Sequence, residues 1–293
     1  MIKPAEDALQ SYAGPETDST RWTAFAARAG DIVVNTPPKS GTTWVQGILA
    51  MLIAGRPDVD TQSSQKNPWI DIKIRPIEDV VALLEAQNHR RQVKSHTPFD
   101  GLPYWNELRY ITVYRHPIDV HFSFRKHAAN MKMDLIEDHY PDDPSESFAI
   151  FLRGDHEVGS LGGIVSHYRH TLARDGRSNL IRLHYADMIR DLSVAVTKIA
   201  DHVGITHAPE MMEKIVQAAT FDSMKSNAHR FTPSAGLGFW KTDANFFDSA
   251  TSNKWEGQLT DADLAAYDSV ISSLLTQRER NWLEWGSGQR SDA

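Results

Sequence analysis

The chain has no cysteine among its 293 residues. That removes disulfides, thiol nucleophiles and thiolate metal sites together, and it fits a reducing compartment. No apolar run approaches the ~18 residues that span a bilayer. The first stretch carries Glu6 and Asp7 and lacks the apolar centre of a secretory signal. The expectation is a cytoplasmic protein with no membrane partner. Positive charge is also in deficit: 31 Lys and Arg face 38 Asp and Glu, a net charge of −7. A general nucleic-acid binder carries a basic face, so no nucleic-acid partner is expected, although a local basic pocket is still allowed. Neither the metal-ligand spacing HExxH nor the nucleotide-kinase loop GxxxxGK[ST] occurs, and no metal is expected. Internal repeats and low-complexity tracts are missing too.

What is there reads as a folded enzyme-sized chain. Hydrophobic residues make up 41% and charged residues 24%, the balance of a globular protein. The length allows a sizeable core, and no composition break divides it, so residues 1–293 are read as one domain. Short β-branched runs alternate with longer stretches of helical periodicity. This implies an α/β fold with a parallel sheet flanked by helices. The spacing predicts strands over 31–35, 92–95, 110–114 and 180–184. It predicts helices over 42–54, 77–87, 117–131, 147–174, 193–203, 209–219 and 261–282. Pro117 suits a first helical turn, and Thr260 with Asp263 has the form of a capping box. Residues 61–69 and 227–255 are polar, aromatic-rich and punctuated by Gly and Pro, as lids and binding loops are.

Three stretches carry chemistry. The first is Pro38-Lys39-Ser40-Gly41-Thr42-Thr43-Trp44, between the run Ile32-Val33-Val34 and an apolar-periodic helix. Strand, tight loop and helix N-terminus form a P-loop-like anion cradle, because unpaired backbone N–H groups and the helix dipole face the ligand while Lys39 adds a full charge. A phosphate or phosphosulfate fits such a site; an ordinary turn with a solvated Lys39 is the plainer alternative. The second is Lys94-Ser95-His96 at the end of another strand, where a histidine is a candidate general base or simply a hydrogen-bonded structural residue. The third is Arg115-His116-Pro117 with Ser123 eight positions after Arg115, at a strand's carboxyl end where open α/β sheets bind ligands. An arginine fork and a hydroxyl suit a phosphate monoester.

In this order the three stretches resemble the cytosolic-type sulfotransferases that use 3'-phosphoadenosine 5'-phosphosulfate (PAPS). The family's PKSGTTW loop is present letter for letter from Pro38 to Trp44. By this resemblance, Lys39 and the Ser40, Gly41, Thr42 and Thr43 loop hold the 5'-phosphosulfate, and Trp44 lies near the adenine. Lys94 and His96 match the K-x-H element, which implies His96 as the base that deprotonates the acceptor. Arg115 to Ser123 match R-x-P-x-D-x-x-x-S, which implies contacts to the 3'-phosphate. Tyr185 in Tyr185-Ala186-Asp187-Met188 matches the adenine-edge tyrosine. Thr220 and Phe221 match S/T-F-x-x-M, with Phe221 as the second wall of the adenine slot. The implied reaction moves a sulfuryl group from PAPS to a hydroxyl or amine of a small acceptor. Lys39 stabilises the leaving phosphate, and Lys94 and Ser123 assist. The aromatic residues Trp69, Phe99, Tyr104, Trp105, Phe239 and Trp240 suggest an aromatic or alicyclic acceptor, with His121, His127 and His167 as possible lining.

One element departs from the family. Its RKGxxGxWK-like loop clamps the 3'-phosphate, and here Asp248 and Ser249 stand where Arg and Lys are expected, between Phe246-Phe247 and Trp255. Lys241, Lys254 and Arg230 are nearby cations that can take over. Ala219 replaces a family hydroxyl. Two alternatives follow: a sulfuryl donor without a 3'-phosphate, or a non-catalytic nucleotide-binding relative. The family's K-x-x-x-T-V-x-x-x-E dimer pattern has no match, which leaves the oligomeric state open.

Overall fold

The computed structural model describes residues 2–59, 67–132, 140–154, 159–233, 240–247 and 252–288. Its centre is a four-stranded, fully parallel sheet of order β2-β1-β3-β4. The strands are β1 (Ile32–Asn35), β2 (Gln92–Ser95), β3 (Arg109–Tyr114) and β4 (Leu180–His184). All four residues of β1 are buried, as a central strand of a sheet covered on both faces requires. Its side chains alternate between two cores. Ile32 and Val34 join Ile111, Val113 and Leu183 on one face, and Val33 joins Val93 and Tyr110 on the other.

The helices are α1 (Thr42–Ala54), α2 (Ile77–Glu85), α3 (Pro117–Asn130), α4 (Pro144–Arg153), α5 (Leu161–Leu172), α6 (Tyr185–Arg190) and α7 (Leu192–Val203), then α8 (Pro209–Ala218), α9 (Phe221–Ser226), α10 (Ala228–Phe231), α11 (Asp261–Leu274) and α12 (Gln277–Trp285). α1, α7 and α8 pack on the first face, and α3, α4, α5, α11 and α12 gather around Tyr114 in a third cluster. The strands fall within a residue of the sequence expectation. Two helices read as continuous are each broken. The 147–174 stretch is α4 and α5, because Gly154 ends one and Ser160 caps the next by accepting from Gly163 N–H. The 261–282 stretch is α11 and α12, because Thr276 and Glu279 form a second capping box beside that of Thr260 and Asp263.

Candidate active site

All four strands point their carboxyl ends the same way, and each delivers one part of the site. From β1 the chain turns through residues 36–41 into α1. Lys39 takes a left-handed backbone (φ 61°), a strained conformation that non-glycine residues hold mainly at functional sites. Gly41 is the N-cap of α1 with φ 119°, and it offers no side chain to cap the helix. A Cβ there would lie 3.4 Å from Tyr185 and Val113 in a backbone that disfavours one. The first-turn N–H groups of α1 have no intrahelical acceptor, so this helix end is built to take an anion. Thr36 and Thr42 brace the loop through hydroxyls 2.5 Å apart. Ser40 is buried and Thr43 half-buried.

Lys39 Nζ lies 2.9 Å from His127 Nδ1 and 4.6 Å from the Phe246 ring. An ammonium only donates, so His127 Nδ1 accepts and the ring proton sits on Nε2. Burial and then Lys39 hold the His127 imidazolium well below its usual range.

His96 follows β2. Its Nδ1 is 2.6 Å from the Thr36 carbonyl, which can only accept, so Nδ1 carries the proton and Nε2 the lone pair. Burial first, then Lys94, drive the His96 pKa well below 6.5, and the ring is neutral at pH 7. Lys94 stands 4.2 Å over the Trp69 ring, and Trp69 meets His96 edge-on at 4.8 Å. Burial lowers the Lys94 pKa to about 8, against the pull of Asp71. Lys39, Lys94, His96 and His127 thus feel one another electrostatically.

Arg115 leaves β3 buried, 4.3 Å over the Tyr185 ring and 3.8 Å from Asp119 Oδ2. Asp119 also accepts the Lys254 backbone N–H at 3.2 Å, so the far end of the divergent loop docks beside Arg115. Ser123 lies buried on α3, one turn before His127 and on the same side. Tyr185 opens α6 directly after β4 and meets Trp44 edge-on at 5.4 Å. Trp44 Nε1 donates to Ala219 O at 2.7 Å, which ties it to Thr220, the N-cap of α9. Half-buried Phe221 follows, 6.3 Å from Phe247.

Each expected site residue therefore lies at a strand end or on an element tied to one. Several acceptor-lining candidates do not. Phe99, Tyr104 and Trp105 are core residues beneath the sheet. His121 is enclosed by Phe148 and Phe151, and burial lowers its pKa to about 3. His167 is locked in a buried chain, accepting from Tyr114 at 2.7 Å and donating to Asn35 Oδ1 at 3.2 Å. Trp240, by contrast, borders the site, packing at 4.7 Å on the His127 ring that meets Lys39. Phe239, Asp248 and Ser249 lie outside the described residues. Sequence reasoning missed Asp71, whose carboxylate lies against Ser95 and Thr97 on either side of His96, and gave no hint of the Lys39–His127 contact.

The family model described as "Sulfotransferase domain" matches residues 29–279. The chain belongs to the sulfotransferase family. Glycolipid sulfotransferases of Mycobacterium bovis and Mycobacterium tuberculosis are each 31% identical to this sulfotransferase over 94% of both chains. Human sulfotransferase 2A1 is 25% identical, with 89% of this chain and 90% of the relative covered. Two solved structures share the fold. A mouse sulfotransferase complexed with PAP has TM-score 0.71, 21% identity and coverage of 88% and 89%. Retinol dehydratase in complex with retinol and PAP has TM-score 0.72, 18% identity and coverage of 92% of each chain. Among the described residues, no helix is long and apolar enough to cross a membrane.

Proposed function

We propose that this sulfotransferase uses PAPS as its sulfuryl donor and transfers the group to an acceptor hydroxyl activated by His96. The observation that carries the reading is the convergence of four strand ends on the uncapped N-terminus of α1: Lys39, His96, Arg115 and Tyr185 each arrive from a different strand. When bound, PAPS supplies the activated sulfuryl group. The α1 N-terminus and Lys39 would hold its 5'-phosphosulfate, Trp44, Tyr185 and Phe221 would enclose the adenine, and Arg115 with Ser123 would take the 3'-phosphate.

His96 Nε2 removes the acceptor proton as the new O–S bond forms. Lys39 would stand beside the departing phosphate and neutralise the negative charge that develops as the S–O bond to it breaks. Lys94 lends further positive potential to the transferring group. Neutral His96 is the form the reaction needs, and its burial secures it. The rigid bond to Thr36 O keeps Nε2 aimed, a contribution of orientation rather than of acidity.

With Phe99, Tyr104 and Trp105 in the core, the case for an aromatic acceptor rests on fewer residues. The activity named for the mycobacterial relatives brings glycolipid hydroxyls into the same test. Incubation with PAPS and a panel of 2-naphthol, cyclohexanol and octyl glucoside, read by mass spectrometry, should yield a sulfated product that His96→Ala does not make. No product from any acceptor, with no slow loss of sulfate to water, would refute the reading.

A further inference from the structure

The segment ahead of α2 runs beside β2 as a parallel extension of the sheet. Ile70 N–H donates to Lys94 O at 3.2 Å, and Lys94 N–H donates to Pro68 O at 2.9 Å. This register sets Trp69 opposite Lys94 and carries fully buried Asp71 to the end of β2. There, Asp71 Oδ2 accepts from Ser95 Oγ at 2.5 Å, Thr97 Oγ1 at 2.7 Å and Trp22 Nε1 at 3.3 Å. Thr97 N–H in turn donates to Ser95 Oγ at 3.1 Å. His96 is the residue between the two hydroxyls, and its own ring turns away to Thr36.

All three donors fall on Oδ2, while Asp71 Oδ1 is buried without a hydrogen-bond partner among the described residues. Burial raises the Asp71 pKa, and the bonds from Ser95, Thr97 and Trp22 oppose that rise. What the carboxylate holds together is the pair of hydroxyls that flank His96 in the chain.

We propose that Asp71 is a positioning residue for sulfuryl transfer, its carboxylate clamping Ser95 and Thr97 on either side of His96. The proposal rests on the reading of His96 as base. The clamp fixes where Nε2 lies.

The test compares kcat and the KM for PAPS among the wild type, Asp71→Asn, the double variant Ser95→Ala/Thr97→Val, and His96→Ala. PAPS is varied up to saturation, and transfer of radiolabel to 2-naphthol and to water is followed. Asp71→Asn should lower kcat 10- to 100-fold and leave the KM for PAPS within two-fold. The double variant removes the two clamped hydroxyls, so kcat should fall there too, with the KM for PAPS again within two-fold. Wild-type kcat in Asp71→Asn, or a KM for PAPS that rises as much as kcat falls, would overturn the proposal. If Asp71→Asn fails to fold, the double variant decides alone, and wild-type kcat there overturns it. Wild-type activity in His96→Ala would instead refute the base assignment, a result distinguishable from either.

Discussion

His96 can act only through Nε2, because Nδ1 is committed to the Thr36 carbonyl. Replacing it removes the acceptor for the proton and one bond to Thr36 O, and leaves Lys39 and the N-terminus of α1 in place. His96→Ala should therefore cut kcat at least ~100-fold, the usual scale for a general base, while leaving binding of the product nucleotide intact. Lys39→Ala should cost a similar factor, since on the proposed reading Lys39 neutralises charge that appears only as the phosphate leaves. On the proposed reading Arg115 serves binding rather than chemistry. Arg115→Ala should raise the KM for PAPS more than it lowers kcat, and steady-state kinetics with varied PAPS would check this. A variant with neither change would remove Arg115 from the 3'-phosphate.

Among the elements, the loop from β1 to α1 depends on one glycine. Gly41→Ala places a Cβ against Tyr185 and Val113 at φ 119°. It should cost about 1–3 kcal/mol of stability and weaken donor-nucleotide binding, measurable by melting and by titration. This loop was legible in the sequence because its chemistry is local: a β-branched run, a lysine, a glycine and two threonines in order. The strands were legible for the same reason. The helix breaks at Ser160 and Thr276 were not, because apolar periodicity runs across them. Thr276 with Glu279 nevertheless carries the same signal as Thr260 with Asp263, which was read correctly. Asp71 gave no sequence signal at all. Its place beside Ser95 and Thr97 follows from the register of an edge segment against β2, a long-range pairing that no local pattern encodes.

Over the whole molecule, buried neutral histidines set the acid limit of stability. Burial lowers the pKa of His121 and His167 to about 3 and that of His184 to about 4. In the unfolded chain these groups titrate near 6.5, so between the two values the unfolded state binds more protons. Their stabilisation is complete above about 6.5 and is lost as pH falls below it, by up to about 1.4 kcal/mol per unit for each ring. Asp71 and Asp119, raised by burial, act in the opposite sense at the acid end of this window. The melting temperature should drop by several degrees between pH 7.5 and 5.5. An unchanged melting point would mean that these rings protonate without unfolding.

The proposed nucleotide site joins residues far apart in the chain: Lys39, Arg115, Tyr185, Phe221 and the loop that docks on Asp119 through Lys254. Asp248→Arg with Ser249→Lys, which restores the family's cations in that loop, should tighten PAPS binding. The most direct measurement compares thermal stabilisation by adenosine 3',5'-bisphosphate and by adenosine 5'-monophosphate. A ligand at 100 times its dissociation constant adds about 2.7 kcal/mol, enough to move the melting point by several degrees. The account predicts a shift with the bisphosphate far larger than with the monophosphate. Equal shifts, or none with either, would contradict it.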